Sequence, residues 1–216
     1  MIVQPGISVL DIGCAGGDLY HGLIEKVGKL KYTGTDIAPN LIEHARNLES
    51  EANFPLGNLS TDNLIDDHQY DLVTATGVFQ HEPDFSSLFR TMIQHTLPGG
   101  HILFVVKLFH SHETLRDIGL SYCAHSDPIY FIVFNLKELI ARISDLQFPS
   151  IAIYGYYCGV HESVRLPETV SEKVCSAHIL LRKSEYPESD SVELSLKLPG
   201  SIRSYEKSEI LHKVKR

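Results

Sequence analysis

The order of apolar runs along the chain predicts an α/β fold, a sheet of mostly parallel strands joined by crossover helices. Three observations carry that expectation. Short apolar runs alternate with stretches of helical spacing from residue 8 to residue 107. The first run ends in a cluster of glycines and opens directly into a helix-like segment. The 216 residues suffice for one domain with a full core and are too few for two large ones.

Ser8–Ile12 reads as a buried first strand, and a helix is expected from about Asp18 to Val27. Lys31 to Asp36 reads as the second strand. Pro39 then opens a helix with Leu41, Ile42, Ala45 and Leu48 on one face, since a proline's missing N–H costs nothing in a first turn. Phe54 to Gly57 reads as a brief third strand and Tyr70 to Ala75 as a fourth. Asp84 is placed to cap a helix whose Phe85, Leu88, Phe89, Met92 and Ile93 repeat at helical spacing. Leu97-Pro98-Gly99-Gly100 reads as a turn, and His101 to Lys107 as a fifth, fully buried strand. Phe109 to Phe134 lacks clean periodicity and reads as an insertion. Asn135 is expected to cap a helix through Asp145, and Phe148–Cys158 and Lys173–Arg182 to pair as antiparallel strands. From Ser184 the chain is polar and broken by Pro187, Pro199 and Gly200, so no packed structure is expected there.

Composition narrows the functional classes. Apolar residues make up 43% and charged residues 21%, which fits a globular domain. The longest apolar stretches, such as Ile102–Val106, are too short to cross a bilayer. Residues 1–6 carry neither the basic patch nor the apolar run of an export signal, so a cytoplasmic location is expected. Cys14, Cys123, Cys158 and Cys175 are scattered, with no Cys-x-x-Cys pair, and read as reduced thiols. A formal charge of −8 argues against a large nucleic-acid footprint, which needs Lys and Arg to displace counterions. The basic end, Lys207 to Arg216, reads as a solvated tail.

The informative segment is Val9-Leu10-Asp11-Ile12-Gly13-Cys14-Ala15-Gly16-Gly17-Asp18. A strand, a glycine-rich turn and a helix bring backbone N–H groups and a helix N-terminus close to a ligand. The turn does not fit the dinucleotide fingerprint G-x-G-x-x-G, because the third residue after Ala15 is Asp18. It resembles the first motif of class I S-adenosylmethionine methyltransferases, an acidic residue followed by G-x-G-x-G. Asp11 stands for the acid, and Gly13, Ala15 and Gly17 for the turn. Ala15 departs from the family glycine, a replacement that requires negative φ at that residue.

Further segments resemble the same family in order. Asp36, ending the second strand, matches the acid that holds both ribose hydroxyls, with Ile37 packing on the adenine. Gly57-Asn58-Leu59 matches a Gly-Asp pair at the adenine contact, with Asn58 replacing the common Asp. Tyr70-Asp71-Leu72-Val73 through Thr76 to His81 is similar to the family's F-D-x-V…L-x-H segment, and Leu97–Gly100 to its L-x-P-G-G turn. The resemblance covers residues 8 to 107. It implies a doubly wound, seven-stranded sheet with the last strand antiparallel and helices on both faces. It also implies S-adenosyl-L-methionine as cofactor, held by Asp11, Gly13, Cys14, Ala15, Gly17, Asp36, Ile37, Asn58, Leu59 and Thr76. The domain is expected to span 1–183, with 108–134 as a lid insertion and 184–216 as a tail.

Methyl transfer requires alignment and exclusion of water, and a base where the acceptor must lose a proton. His81, after the fourth strand, is the candidate base; the alternative is that it packs or caps the next helix. Cys14 reads as a space-filler in the loop, and Tyr20 and His21 as either cofactor contacts or core. His110 and His112 have no third ligand at a recognisable spacing, so no metal is expected. The strand begins at Ser8, so closure of the site is expected from 109–134, from the tail or from a second subunit in a homodimer. The expected acceptor is a small molecule methylated on oxygen or nitrogen, with neither membrane nor nucleic acid as partner. The competing classes are a cofactor-binding protein without turnover, a nucleic-acid methyltransferase, and a nicotinamide-dependent oxidoreductase. The second lacks its Asn/Asp-Pro-Pro-aromatic motif here, since Thr76-Gly77-Val78-Phe79 stands in that place.

Overall fold

A computed structural model describes residues 2–62, 64–65, 67–109, 113–117, 130–144, 148–156, 174–185 and 193–199. Strand β1 (Ser8–Ile12) runs into helix α1 (Asp18–Val27), strand β2 (Lys31–Thr35) into α2 (Pro39–Leu48), and β3 (Tyr70–Thr76) into α3 (Phe85–Gln94). The long strand β4 (Thr96–Phe109) is followed by β5 (Leu115–Asp117), β6 (Phe131–Asn135) and α4 (Leu136–Ser144). Strands β7 (Ser150–Tyr156), β8 (Cys175–Arg182) and β9 (Glu193–Lys197) complete the described chain.

The strands form one sheet in the order β2-β1-β3-β4-β8-β7-β9. β1 is parallel to β2 and β3, and β3 to β4, whereas β8 is antiparallel to both β4 and β7. The antiparallel pair expected for the last two runs is therefore present. Because β2 and β3 lie on opposite sides of β1, the chain reverses its winding there and opens a crevice at the carboxyl ends of the strands.

Alternation along the strands divides the core into two layers. Leu10, Val73, Ile102 and Phe104 face α3 and α4, packed with Phe85, Phe89, Leu139 and Ile143. Val9, Leu72 and Tyr32 face α1 and α2, packed with Tyr20, Ile42 and Ala45. Helices thus lie on both faces. Asp84 Oδ1 accepts from the Ser87 amide at 3.0 Å and starts α3, and Asn135 Oδ1 accepts from the Lys137 and Glu138 amides to start α4.

Four expectations are corrected. Residues 54–57 form no strand and are reduced to two isolated parallel bridges, Thr33 with Asn53 and Asp36 with Leu56. Pro55 has no N–H for a ladder, and the Phe54 carbonyl accepts from Arg46 Nε instead. Leu97–Gly100 is not a turn ahead of a strand but lies inside β4. The pairing jumps from Tyr70–Thr96 to Leu72–His101, so the glycines are absorbed as an irregularity in the strand. Among the described residues the sheet has nine strands rather than seven, because the expected insertion supplies β5 and β6 and the expected tail supplies β9. β9 pairs parallel with β7, and Leu198 beside it is buried. Finally, over the expected span His101–Lys107 the strand β4 is buried on one face only. Ile102, Phe104, Val106 and Leu108 are buried, while His101, Leu103, Val105 and Lys107 are half-buried.

One consequence separates two glycines. A Cβ at Gly34 would stand 2.8 Å from Cys14 Cβ and 2.9 Å from Tyr32, whereas at Gly22, exposed in α1, it would meet nothing within 4 Å. Gly34→Ala is expected to destabilise by about 1–3 kcal/mol. Gly22→Ala is expected to stabilise by about 0.5–1 kcal/mol. Urea unfolding of both variants checks the pair of signs.

Candidate active site

The turn between β1 and α1 is built from backbone that winds left. Gly13, Ala15 and Gly17 have φ of 74°, 48° and 91°. Gly13 is obligatory on a second ground, since a Cβ there would stand 2.3 Å from Val78 Cγ2. The Gly13 and Cys14 amides donate to the Thr35 carbonyl at 2.7 and 3.0 Å, which presses the turn against the end of β2. Asp36 then fixes it. Its Oδ2 accepts from the Ala15 amide and its Oδ1 from the Ala38 amide, both at 2.9 Å. The Asp36 carbonyl accepts from the Gly57 amide at 2.9 Å, bringing in the third segment. The glycine turn, the end of β2 and Gly57-Asn58 therefore converge on the crevice.

Asp11 lies beneath this surface, with only 1% of its area exposed. Its Oδ2 accepts from the Tyr32 hydroxyl at 2.5 Å, and its Oδ1 has no partner. Thr74, its neighbour across the β1–β3 pairing, is also buried with its Oγ1 unpartnered. Two orphaned oxygens on one face mark a buried polar spot under the turn, where a cation or an N–H of a ligand would be welcome. Burial pushes the Asp11 carboxyl up to about 7, helped by the charge of Asp36 and opposed by the Tyr32 hydrogen bond. Burial also pushes the Cys14 thiol up to about 12, with the Asp11 and Asp36 charges adding to it. Cys14 is thus a buried, unreactive thiol that fills space beside Gly34.

The other expected residues divide. Ile37 is 72% exposed beside Asp36, an apolar side chain open to a ring, and Thr76 is exposed at the end of β3. Asn58 Oδ1 already accepts from the Ser60 amide at 2.9 Å, and its own amide donates to Asp62 Oδ2 at 2.8 Å. The carboxylate of that segment is Asp62, a residue no motif singled out, which accepts from the Asn58 amide and from Thr61 Oγ1. Leu59 belongs to the core facing α3, 8% exposed, rather than to the crevice. Ala15 also corrects an expectation: its φ is positive, and the Asp36 hydrogen bond holds it there. Of the two helix residues, Tyr20 is buried against Tyr32, and His21 lies 3.2 Å from Glu49.

His81 sits in the loop after β3. Its Nδ1 is 3.0 Å from the Tyr130 carbonyl, and its ring stands edge-on to Phe131 at 5.3 Å. The Ile132 amide donates to the Gln80 carbonyl at 2.7 Å, so β6 grips the whole loop. Facing a carbonyl, Nδ1 must carry the proton, which leaves Nε2 with its lone pair. Gln80 Oε1, buried without a partner, and Thr74 Oγ1 are polar atoms of this region that the sequence did not flag. No group of three or more metal-binding side chains occurs among the described residues, and His110 and His112 lie outside them.

Two predictions follow from the strain and the burial. Ala15→Gly is expected to raise unfolding stability by up to about 1 kcal/mol, since glycine adopts positive φ without a Cβ clash. For Asp11, a raised value means that the folded state holds a proton the unfolded chain has lost. The stability it contributes is therefore full below its ordinary 3.8 and is lost as pH rises to about 7. Between pH 5 and pH 8 the ligand-free protein should lose on the order of 3 kcal/mol that Asp11→Asn does not lose. Urea titrations at both pH values measure that difference.

Residues 10–102 match the family described as a methyltransferase domain. The malonyl-[acyl-carrier protein] O-methyltransferase of Acetivibrio thermocellus is 28% identical over 116 residues, 54% of this chain and 40% of that protein. The ubiquinone biosynthesis O-methyltransferase of Pseudomonas fluorescens is 32% identical over 103 residues, 46% of this chain and 44% of that one. The chain spans less than half the length of these two relatives. Among solved structures, an S-adenosylmethionine dependent methyltransferase from Mesorhizobium loti superposes with a TM-score of 0.59 at 17% identity, over 84% of this chain and 93% of that one. By domain match over residues 10–102, by relatives and by fold, the chain is similar to the class I S-adenosylmethionine-dependent methyltransferases.

Proposed function

We propose that the chain transfers a methyl group from S-adenosylmethionine to an oxygen or nitrogen of a small-molecule acceptor. The observation that carries this reading is the Asp36 carboxylate, clamped to the glycine turn at the crevice where β1 and β3 part. S-Adenosylmethionine supplies an electrophilic methyl carbon on a sulfonium, a leaving group that needs no protonation. The chain's own task is to bind, align, exclude water and take up a proton.

The residues fit that ligand. Each Asp36 oxygen spends one lone pair on a backbone amide and keeps another for a ribose hydroxyl. Ile37 offers an exposed apolar flank for the adenine, with the Gly57-Asn58 segment and the Asp62 carboxylate at its edge. Asp11, with an orphaned buried oxygen under the turn, would be drawn to its ionised form by a ligand that carries a sulfonium and an ammonium. A pyrophosphate would be repelled by the same carboxylates. His81, held through Nδ1, would accept the acceptor's proton at Nε2. The two curated relatives are named as O-methyltransferases, which supports oxygen as the attacked atom.

Calorimetry with S-adenosylmethionine, S-adenosylhomocysteine and NAD tests the binding half. Both sulfur ligands should bind, NAD should not, and Asp36→Ala should weaken binding about tenfold or more through loss of charged hydrogen bonds. Turnover is followed as S-adenosylhomocysteine released with a panel of phenols, carboxylic acids and amines. His81→Gln should slow it about a hundredfold while leaving S-adenosylhomocysteine binding intact. Tight NAD binding, or full turnover without His81, would overturn the assignment.

A further inference from the structure

Beyond Leu103 of β4, which packs against the α1–α2 layer, the half of the sheet formed by β4, β8, β7 and β9 has helices on one face only among the described residues. On the other face, near the carboxyl end of β4, stands Lys107. It is level with Ser176 on β8, which is level in turn with Tyr156 on β7. Lys107 is half-buried, and its Nζ donates to Ser176 Oγ at 2.5 Å. Among the described residues no carboxylate lies within ion-pair distance of it. A half-buried ammonium with a single neutral partner leaves its charge uncompensated, and the missing complement is an anion.

The neighbourhood makes this an acceptor-side position. Two residues beyond Lys107 on the same face, Phe109 enters an apolar cluster with Phe131 and Val133. Phe131 is the ring that stands against His81. The candidate base thus stands against one member of an apolar cluster, and Lys107 lies two residues along β4 from another, Phe109. His178, diagonal to Lys107 and stacked on Tyr156 at 5.4 Å, is pulled below the ordinary histidine value by burial and by the Lys107 charge. Being neutral near pH 7, it adds no second charge, so the site has room for one anionic group. The row between Lys107 and the crevice is short: Thr76 at the end of β3 pairs with Val105, two residues back along β4.

We propose that Lys107, with Ser176, anchors a carboxylate or phosphate of the methyl acceptor and so turns its reacting heteroatom toward His81. The word acceptor rests on the methyl-transfer reading; the anion site itself does not. Specificity would then come from β4 and β8, elements outside the cofactor turn, and uncharged analogues of the acceptor would be poor substrates.

The test is calorimetry of the full chain with benzoate, phenyl phosphate and benzyl alcohol, with and without saturating S-adenosylhomocysteine. The two anions should bind at least about tenfold more tightly than the alcohol, and Lys107→Met should abolish that margin. Lys107→Arg should retain it, and both variants should keep S-adenosylhomocysteine affinity within about twofold, which also shows that they fold. The stronger of the two anions tells carboxylate from phosphate. Equal binding of all three probes to the wild type, or anion binding unchanged by Lys107→Met, would overturn the proposal. Failure of S-adenosylhomocysteine to bind while the anions still depend on Lys107 would instead overturn the methyl-transfer reading and leave the anion site standing.

Discussion

The carboxylate of Asp36 accepts from the amides of Ala15 and Ala38, one on each side of the crevice, and the site's geometry depends on that double tie. The turn between β1 and α1 winds through three residues of positive φ, one of them an alanine. An L-residue held there costs on the order of 1 kcal/mol, which a hydrogen bond to an ionised group, worth about 1.5–3 kcal/mol, offsets. The tie also fixes the turn against the end of β2, where the Gly13 and Cys14 amides donate to the Thr35 carbonyl. Through its own carbonyl, Asp36 then draws in Gly57 and the segment after it. One short side chain thus joins three pieces of chain that are distant in sequence, and only where β2 ends beside β1 can it do so.

Below that tie the sheet sets an opposing demand. Asp11 is buried with one oxygen on Tyr32 and one on nothing, next to an equally orphaned Thr74. A core built only for stability would place apolar groups in that row, so polar atoms left unpaired there read as reserved for a ligand or a bound water. The two faces of the sheet extend the contrast. Among the described residues, the face toward α3 and α4 is continuous from β1 to β9, while the layer of α1 and α2 on the other face reaches from β2 to Leu103 of β4. The half-buried Lys107 stands on that same face, near the carboxyl end of β4.

The chain announces the first half of its fold plainly. Apolar strands ending in glycine, a proline in the first turn of α2 and the helical repeat of Phe85, Leu88, Phe89 and Met92 are local signals that tertiary structure had no reason to override. The third strand misled because Phe-Pro-Leu-Gly has strand-like apolarity while Pro55 forbids a ladder. β5, β6 and β9 were hidden because each is short and becomes a strand only through partners far away in sequence. At the site, the motif pointed to the glycine turn, Asp36 and His81, since such expectations rest on residue type and spacing. It could not foresee the sign of φ at Ala15, the engagement of Asn58 by Ser60, or the burial of Leu59, which are set by neighbouring backbone. Lys107 was invisible for a further reason: a lysine at the end of a strand is ordinary until the sheet shows which groups do not face it.

The most direct measurement is a crystal structure of the chain with S-adenosylhomocysteine. The account predicts the ribose hydroxyls on the Asp36 carboxylate, with the Ala15 and Ala38 amides still donating to it. It also predicts the ligand's amino group over the Asp11–Thr74 spot and its sulfur on the side of Thr76 and His81. A ligand seated elsewhere, or a turn that releases Asp36 on binding, would contradict it.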